Sequence, residues 1–136
     1  MAERPRFVLD TSAVLALRAD EPGASRVAQL LRWARAARAE VLLSFMTRME
    51  LLYRIAADEG WGEARAALRL IDAVGIEWVS CTPDILDGAA RLKAGGGMSV
   101  ADAWIAATAV ARKATLVHKD PEFTRARQVR QELLRR

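Results

Sequence analysis

The sequence contains a single cysteine, Cys81, which excludes an internal disulfide framework and any zinc cluster built on thiolates. No apolar run approaches the ~20 residues that span a bilayer, which argues against membrane insertion. The opening MAERPRFVLD lacks a secretory pattern, because Arg4 and Arg6 lead straight into a short strand-like run. The cytoplasm is the compartment these absences point to. Repeats, low-complexity tracts and long linkers are missing as well, so the 136 residues read as one domain with one sizeable core. Lysine is scarce: only Lys93, Lys113 and Lys119 occur, and arginine supplies almost all of a formal charge of +4. That balance is compatible with a polyanionic partner, since guanidinium groups bind phosphate in a bidentate fashion. A bias towards Ala and Arg would produce the same charge.

What is present alternates between short apolar runs and longer helical ones. Phe7-Val8-Leu9, Val41-Leu42-Leu43, Ile76-Glu77-Trp78-Val79 and Thr115-Leu116-Val117 read as four strands. A short helix runs through Ala13-Val14-Leu15, and Val27, Leu30, Leu31 and Ala34 mark one face of a second. Thr47 opens a helix through Ile55, and after Gly60-Trp61-Gly62 another presents Ala64, Ala67, Leu68 and Ile71. Thr82-Pro83-Asp84 combines a hydroxyl cap, proline at the first helical position and an early acid. That helix stops at Gly95-Gly96-Gly97. Ser99 caps the next, which is apolar on nearly every side from Val100 to Ala111 and is expected to be buried. Within the tail, Val129 to Leu134 fits a final strand better than a short helix. Strands separated by helices require crossovers, so the chain is an α/β sandwich with a mainly parallel sheet.

In such a sheet the binding crevice lies beyond the carboxyl ends of the strands. Asp10 directly follows the first strand, and Asp120 follows the fourth after two residues. Glu50 is expected in the first turn of the helix after the second strand, and Asp102 in the first turn of the apolar helix. Carboxylates brought to one edge raise each other's pKa and call for a cation. Their hard oxygens suit Mg²⁺ or Mn²⁺, and the chemistry that follows is metal-assisted phosphodiester hydrolysis. Each acid also has a structural reading. Thr47-Arg48-Met49-Glu50 and Ser99-Val100-Ala101-Asp102 resemble capping boxes, Asp10 could cap a helix, and Asp120-Pro121 could be turn chemistry.

Other chemistries that begin with a strand ending in Asp are missing parts. A haloacid-dehalogenase-type phosphatase needs a second Asp where Ser12 stands, and a metal-dependent adhesion site needs a second Ser where Val14 stands. There is no acid pair of the receiver-domain kind and no phosphate loop.

The segments FVLDTSAVLAL, TRMELL and MSVADAWIAATAVARKATLVHKDPEF, in that order, resemble the PIN-domain ribonucleases, and most of all their VapC-type toxins. The resemblance runs from Phe7 to Phe123. It implies a PIN-like three-layer sandwich with a sheet of about five strands flanked by helices. It also implies that Asp10, Glu50, Asp102 and Asp120 form the acidic quartet holding Mg²⁺ or Mn²⁺. Thr11 or Ser12 would position a metal-bound water or an acid. The implied substrate is RNA, commonly tRNA or ribosomal RNA. The implied partners are a second copy in a homodimer and a cognate VapB-type antitoxin, through which alone operator DNA is reached. An RNA-processing nuclease outside any such pair, or a non-catalytic PIN-like interaction module, would share these residues.

One departure stands out: His118 occupies a position two before the last acid where many relatives have Thr. It reads as a surface or capping histidine, with contact to a scissile phosphate or tuning of Asp120 as the alternative. Arg32, Arg35 and Arg38 read as a solvated helix face, while Arg125, Arg127 and Arg130 are better placed to steer RNA towards the acids. Trp33, Trp61, Trp78 and Trp104 all read as packing residues, Trp78 and Trp104 in the core, with a partner-facing anchor as the alternative for Trp61. Cys81 is expected to be a small, partly buried apolar residue.

Overall fold

The computed structural model describes residues 3–135; Met1, Ala2 and Arg136 lie outside them. The chain runs β1 (Arg6–Leu9), α1 (Thr11–Arg18), α2 (Ala24–Arg35), β2 (Glu40–Ser44), α3 (Phe45–Glu59) and α4 (Trp61–Ala73). It continues through β3 (Glu77–Val79), α5 (Pro83–Ala94), α6 (Val100–Ala111), β4 (Thr115–His118), a 3-10 turn (Pro121–Arg125) and β5 (Gln131–Leu133). The five strands form one sheet in the order β3-β2-β1-β4-β5, and every neighbouring pair is parallel. The final strand expected in the tail is therefore present.

Alternation along the strands divides the core in two. Val8, Leu42 and Leu116 face α5 and α6, where Ile85, Ala89, Ile105 and Ala106 meet them. Phe7, Leu9, Val41, Leu43 and Val117 face the other way, against Val14 of α1, Val27 and Leu30 of α2, Leu51 and Ile55 of α3, and Leu68 of α4. The result is the expected three-layer sandwich. Connections from β1 reach β2 and then β3 on one side, and the chain then crosses back to place β4 on the other side of β1. The strand order thus reverses between β1 and β4, and a ligand crevice belongs at such a reversal.

Four expectations need correction. Thr47 does not open α3. Ser44, the last strand residue, caps it by accepting the Met46 N–H at 3.1 Å, so strand passes into helix with no loop between. Glu50 consequently lies in the second turn, and its capping-box reading falls. Cys81 is exposed, because it stands in the β3–α5 connection instead of in the strand. His118 is fully buried: it is the last residue of β4, facing α5 and α6 beneath Phe123.

The tryptophans sit at margins. Trp104 packs edge-on against Phe45 at 5.1 Å, and Trp78 donates its indole N–H to Asp72 Oδ1 at 2.8 Å. Both pack against the core while half-buried, and Trp61 is exposed, which goes against a packing role for it. Helix α6 is buried along its middle, but Val100 and Val110 at its ends are exposed.

Candidate active site

The four acids converge on the reversal point. Asp10 ends β1 in extended geometry and its N–H bonds the Val117 carbonyl at 2.9 Å, which seats it between β1 and β4. Its carboxylate caps α1 by accepting the Ser12 N–H at 3.1 Å and also takes the Ser12 hydroxyl. The Ser12 oxygen in turn accepts the Lys119 N–H at 3.1 Å, so one hydroxyl joins the end of β1 to the chain just before Asp120. Burial pushes the Asp10 carboxyl above its usual range, and the bonds from Ser12 oppose that shift.

Glu50 is reached from the other side. The Thr11 hydroxyl donates to Glu50 Oε1 at 2.7 Å and lies 3.2 Å from the Thr47 hydroxyl. Thr47 and Glu50 are three residues apart on α3 and so share a face. With the Thr11 proton committed to the carboxylate, the buried Thr47 hydroxyl is left to donate to Thr11. Both hydroxyls singled out after β1 therefore hold acids. Thr47 escaped the sequence reading because it was taken as a cap; its spacing from Glu50 was the available signal.

Asp102 is at the third position of α6, and its N–H is capped by Ser99 Oγ at 3.1 Å. The edge-on contact of Phe45 with Trp104 joins the start of α3 to α6. The Asp102 carboxyl is pushed up to about 6, by burial first, then by the Asp10 carboxylate, with Asp120 and Glu50 adding to the same direction. Its bond to Ser99 opposes this. Asp120 heads the 3-10 turn and accepts the Glu122 N–H at 2.9 Å. The structural readings of Asp10 and Asp120 are thus realised, yet Glu50 Oε2 and Asp120 Oδ2 accept no hydrogen bond among the described residues.

No Lys or Arg side chain among the described residues hydrogen-bonds or ion-pairs with these four carboxylates. The Lys119 ammonium turns away to the Pro22 carbonyl at 3.0 Å and to Glu21 at 3.6 Å. Among the described residues no three acids are drawn together closely enough to form a ready-made ligand cage. An all-oxygen donor set of spaced carboxylates fits a hard divalent cation that retains several of its own waters, as Mg²⁺ does, better than one needing a full protein cage.

The sequence matches the PIN domain family over residues 7–129. The chain belongs to the PIN-domain family. None of the curated proteins compared with it matches. Among solved structures, this PIN domain is similar to VapBC2 from Rickettsia felis bound to a DNA fragment from their promoter, with a TM-score of 0.78 and 18% identity over 96% of this chain and 99% of that one. It is similar to VapBC-1 from nontypeable Haemophilus influenzae at a TM-score of 0.75 and 23% identity, covering 94% and 97%. A third likeness is VapC20 of Mycobacterium tuberculosis, a sarcin-ricin loop cleaving toxin, at a TM-score of 0.68 and 17% identity, covering 88% and 94%. At identities this low the likeness is one of fold.

Proposed function

We propose that this PIN domain is a divalent-metal-dependent endoribonuclease of the VapC type, the toxin of a toxin–antitoxin pair. The observation that carries the proposal is the convergence of Asp10, Glu50, Asp102 and Asp120 at the β1–β4 reversal, with Asp102 raised to about 6 by burial and by its three acidic neighbours. Asp10, Glu50, Asp102 and Asp120 would hold Mg²⁺ or Mn²⁺, which when bound supplies charge for a phosphodiester and lowers the pKa of water. Thr11 orients Glu50 and Ser12 orients Asp10. Arg125, Arg127 and Arg130 follow Asp120 on exposed backbone and steer RNA phosphates without reading sequence.

The partners follow the same reading. The VapBC likenesses support a VapB-type antitoxin, with operator DNA reached through it. A groove of about 340 Å³ among α1 to α4, lined by Leu17, Leu31, Ile55, Leu70 and Ile71, offers apolar contact for its chain. Exposed Met49 and Tyr53 of α3, Leu86 of α5 and Val100 of α6 support a homodimer. No helix among the described residues is long and apolar enough to cross a membrane, and the exposed thiol of Cys81 is compatible with a reducing cytoplasm.

The test is cleavage of total cellular RNA by protein freed of antitoxin, with Mg²⁺ or Mn²⁺ against EDTA, beside Asp102→Asn. Discrete fragments that need metal and disappear in the variant are expected, and end mapping then separates tRNA from ribosomal RNA. Intact RNA under every condition would overturn the assignment and favour an interaction module.

A further inference from the structure

His118 is fully buried beside the site, and among the described residues its ring hydrogen-bonds to none of the four carboxylates. Its Nδ1 accepts the backbone N–H of Asp120 at 3.2 Å, so that nitrogen carries no proton. Nε2 therefore carries it and donates to Gln131 Oε1 at 2.8 Å. This fixes the Gln131 amide, whose nitrogen donates to the carbonyls of Phe123 at 2.8 Å, Ala126 at 3.2 Å and Val129 at 3.3 Å. The turn that carries Asp120 is thus held from beneath at its start by the ring and along its length by the amide. Phe123 lies over the ring at 4.9 Å between centroids, which keeps water from these bonds.

Gln131 is itself anchored. It opens β5, a three-residue edge strand too short to hold register by its ladder alone. Glu132, on the opposite face, receives the Arg26 guanidinium fork at 2.8 and 3.0 Å. Leu134 is buried beside Gly23, and its N–H bonds the His118 carbonyl at 2.7 Å. Helix α2, strand β5 and the Asp120 turn form one braced unit.

We propose that His118 and Gln131 are a positioning pair that sets the Asp120 carboxylate in the site through the backbone, without touching substrate. Asp120 has no hydroxyl partner of the kind that holds Asp10 and Glu50, and the pair supplies that constraint from below. The proposal rests on Asp120 being a cation ligand. A purely structural role would lower stability and leave cation affinity per folded molecule unchanged.

Two variants separate these outcomes. His118→Gln can still donate to Gln131 but has no acceptor fixed at the Nδ1 position for the Asp120 N–H, and Gln131→Met removes the three carbonyl anchors at a half-exposed position. Mn²⁺ affinity is measured by calorimetry on folded protein, and amide hydrogen exchange is followed at Asp120. Both variants are expected to weaken Mn²⁺ by about tenfold, the scale of lost outer partners at metal sites. Both should speed exchange at Asp120 several-fold, with Ser12 unchanged, and neither should weaken Mn²⁺ further in an Asp120→Asn background. Unchanged affinity and exchange in Gln131→Met, which does not depend on His118 variants folding, would overturn the proposal. So would an undiminished loss in the Asp120→Asn background. Absence of Mn²⁺ binding by the parent protein would instead defeat the nuclease reading, and Asp120 exchange would still judge the pair.

Discussion

Glu50 is held from another element by the Thr11 hydroxyl, and Asp10 by Ser12, whose oxygen also ties β1 to Lys119, whereas Asp102 and Asp120 are supported only within their own turns. The hydroxyls that hold the first pair, Thr11 and Ser12, both lie where β1 passes directly into α1. The second pair caps or heads its own element and faces the first across the crevice. Charge that the first pair has partly neutralised through hydrogen bonds is felt by Asp102 as repulsion, which adds to its burial and holds it near 6. One half of the site is preorganised by side chains, and the other is set by charge and backbone.

Removing charge from the buried half should break the site most completely. Asp10→Asn keeps the shape and the cap geometry but loses an anionic ligand, and RNA cleavage should fall by more than the roughly 10–100-fold that outer partners cost. Single-turnover assays with Mg²⁺ read this directly, and circular dichroism should show the fold intact. Thr11→Val is the intermediate case, since it leaves all four acids and removes the donor to Glu50 together with the acceptor of the Thr47 hydroxyl. It should weaken Mn²⁺ by about tenfold and destabilise the protein by about 1 kcal/mol in urea unfolding. Equal behaviour of Thr11→Val and the parent would erase the distinction between the two halves.

The smallest effect concerns Asp102 in the metal-free protein. Its folded pKa lies above its ordinary value of 3.8, so the folded state favours the protonated form. Stability from this group is greatest below pH 4, falls as pH rises from about 4 to about 6, and is level above that. Asp102→Asn should flatten this slope and stabilise the metal-free protein at neutral pH by about 1 kcal/mol, a figure reduced for the solvent that reaches a half-exposed carboxylate. Urea unfolding in EDTA across pH 4 to 7 checks both the sign and the window. A slope of the opposite sign would remove Asp102 from the charged cluster.

The strands were legible because β-branched and apolar runs such as Phe7-Val8-Leu9 and Thr115-Leu116-Val117 have no competing helical period. Asp10 and Asp102 were legible because each sits beside a strand end or a helix cap that a few residues define. Glu50 was displaced by a turn in the reading, since Ser44 serves as the last residue of β2 and the cap of α3 together, and Thr47 supplied a more familiar start. His118 was misread for a different reason. Its burial depends on β5 and on an amide thirteen residues later in the chain, and nothing near it in sequence announces that pairing. Gln131 carries no pattern of its own. Contacts that close across the sheet leave their mark in the fold alone.

The most direct measurement is calorimetric titration of Mn²⁺ into EDTA-stripped protein at pH 6, repeated in buffers of different ionisation enthalpy and beside Asp102→Asn. The expected result is binding that releases a proton in the parent protein, because a carboxyl raised to about 6 must ionise to accept the cation, and a marked loss of affinity in the variant. Folded parent protein that binds no Mn²⁺, or an Asp102→Asn variant that binds it equally well, would contradict the assignment of these four acids as a cation site.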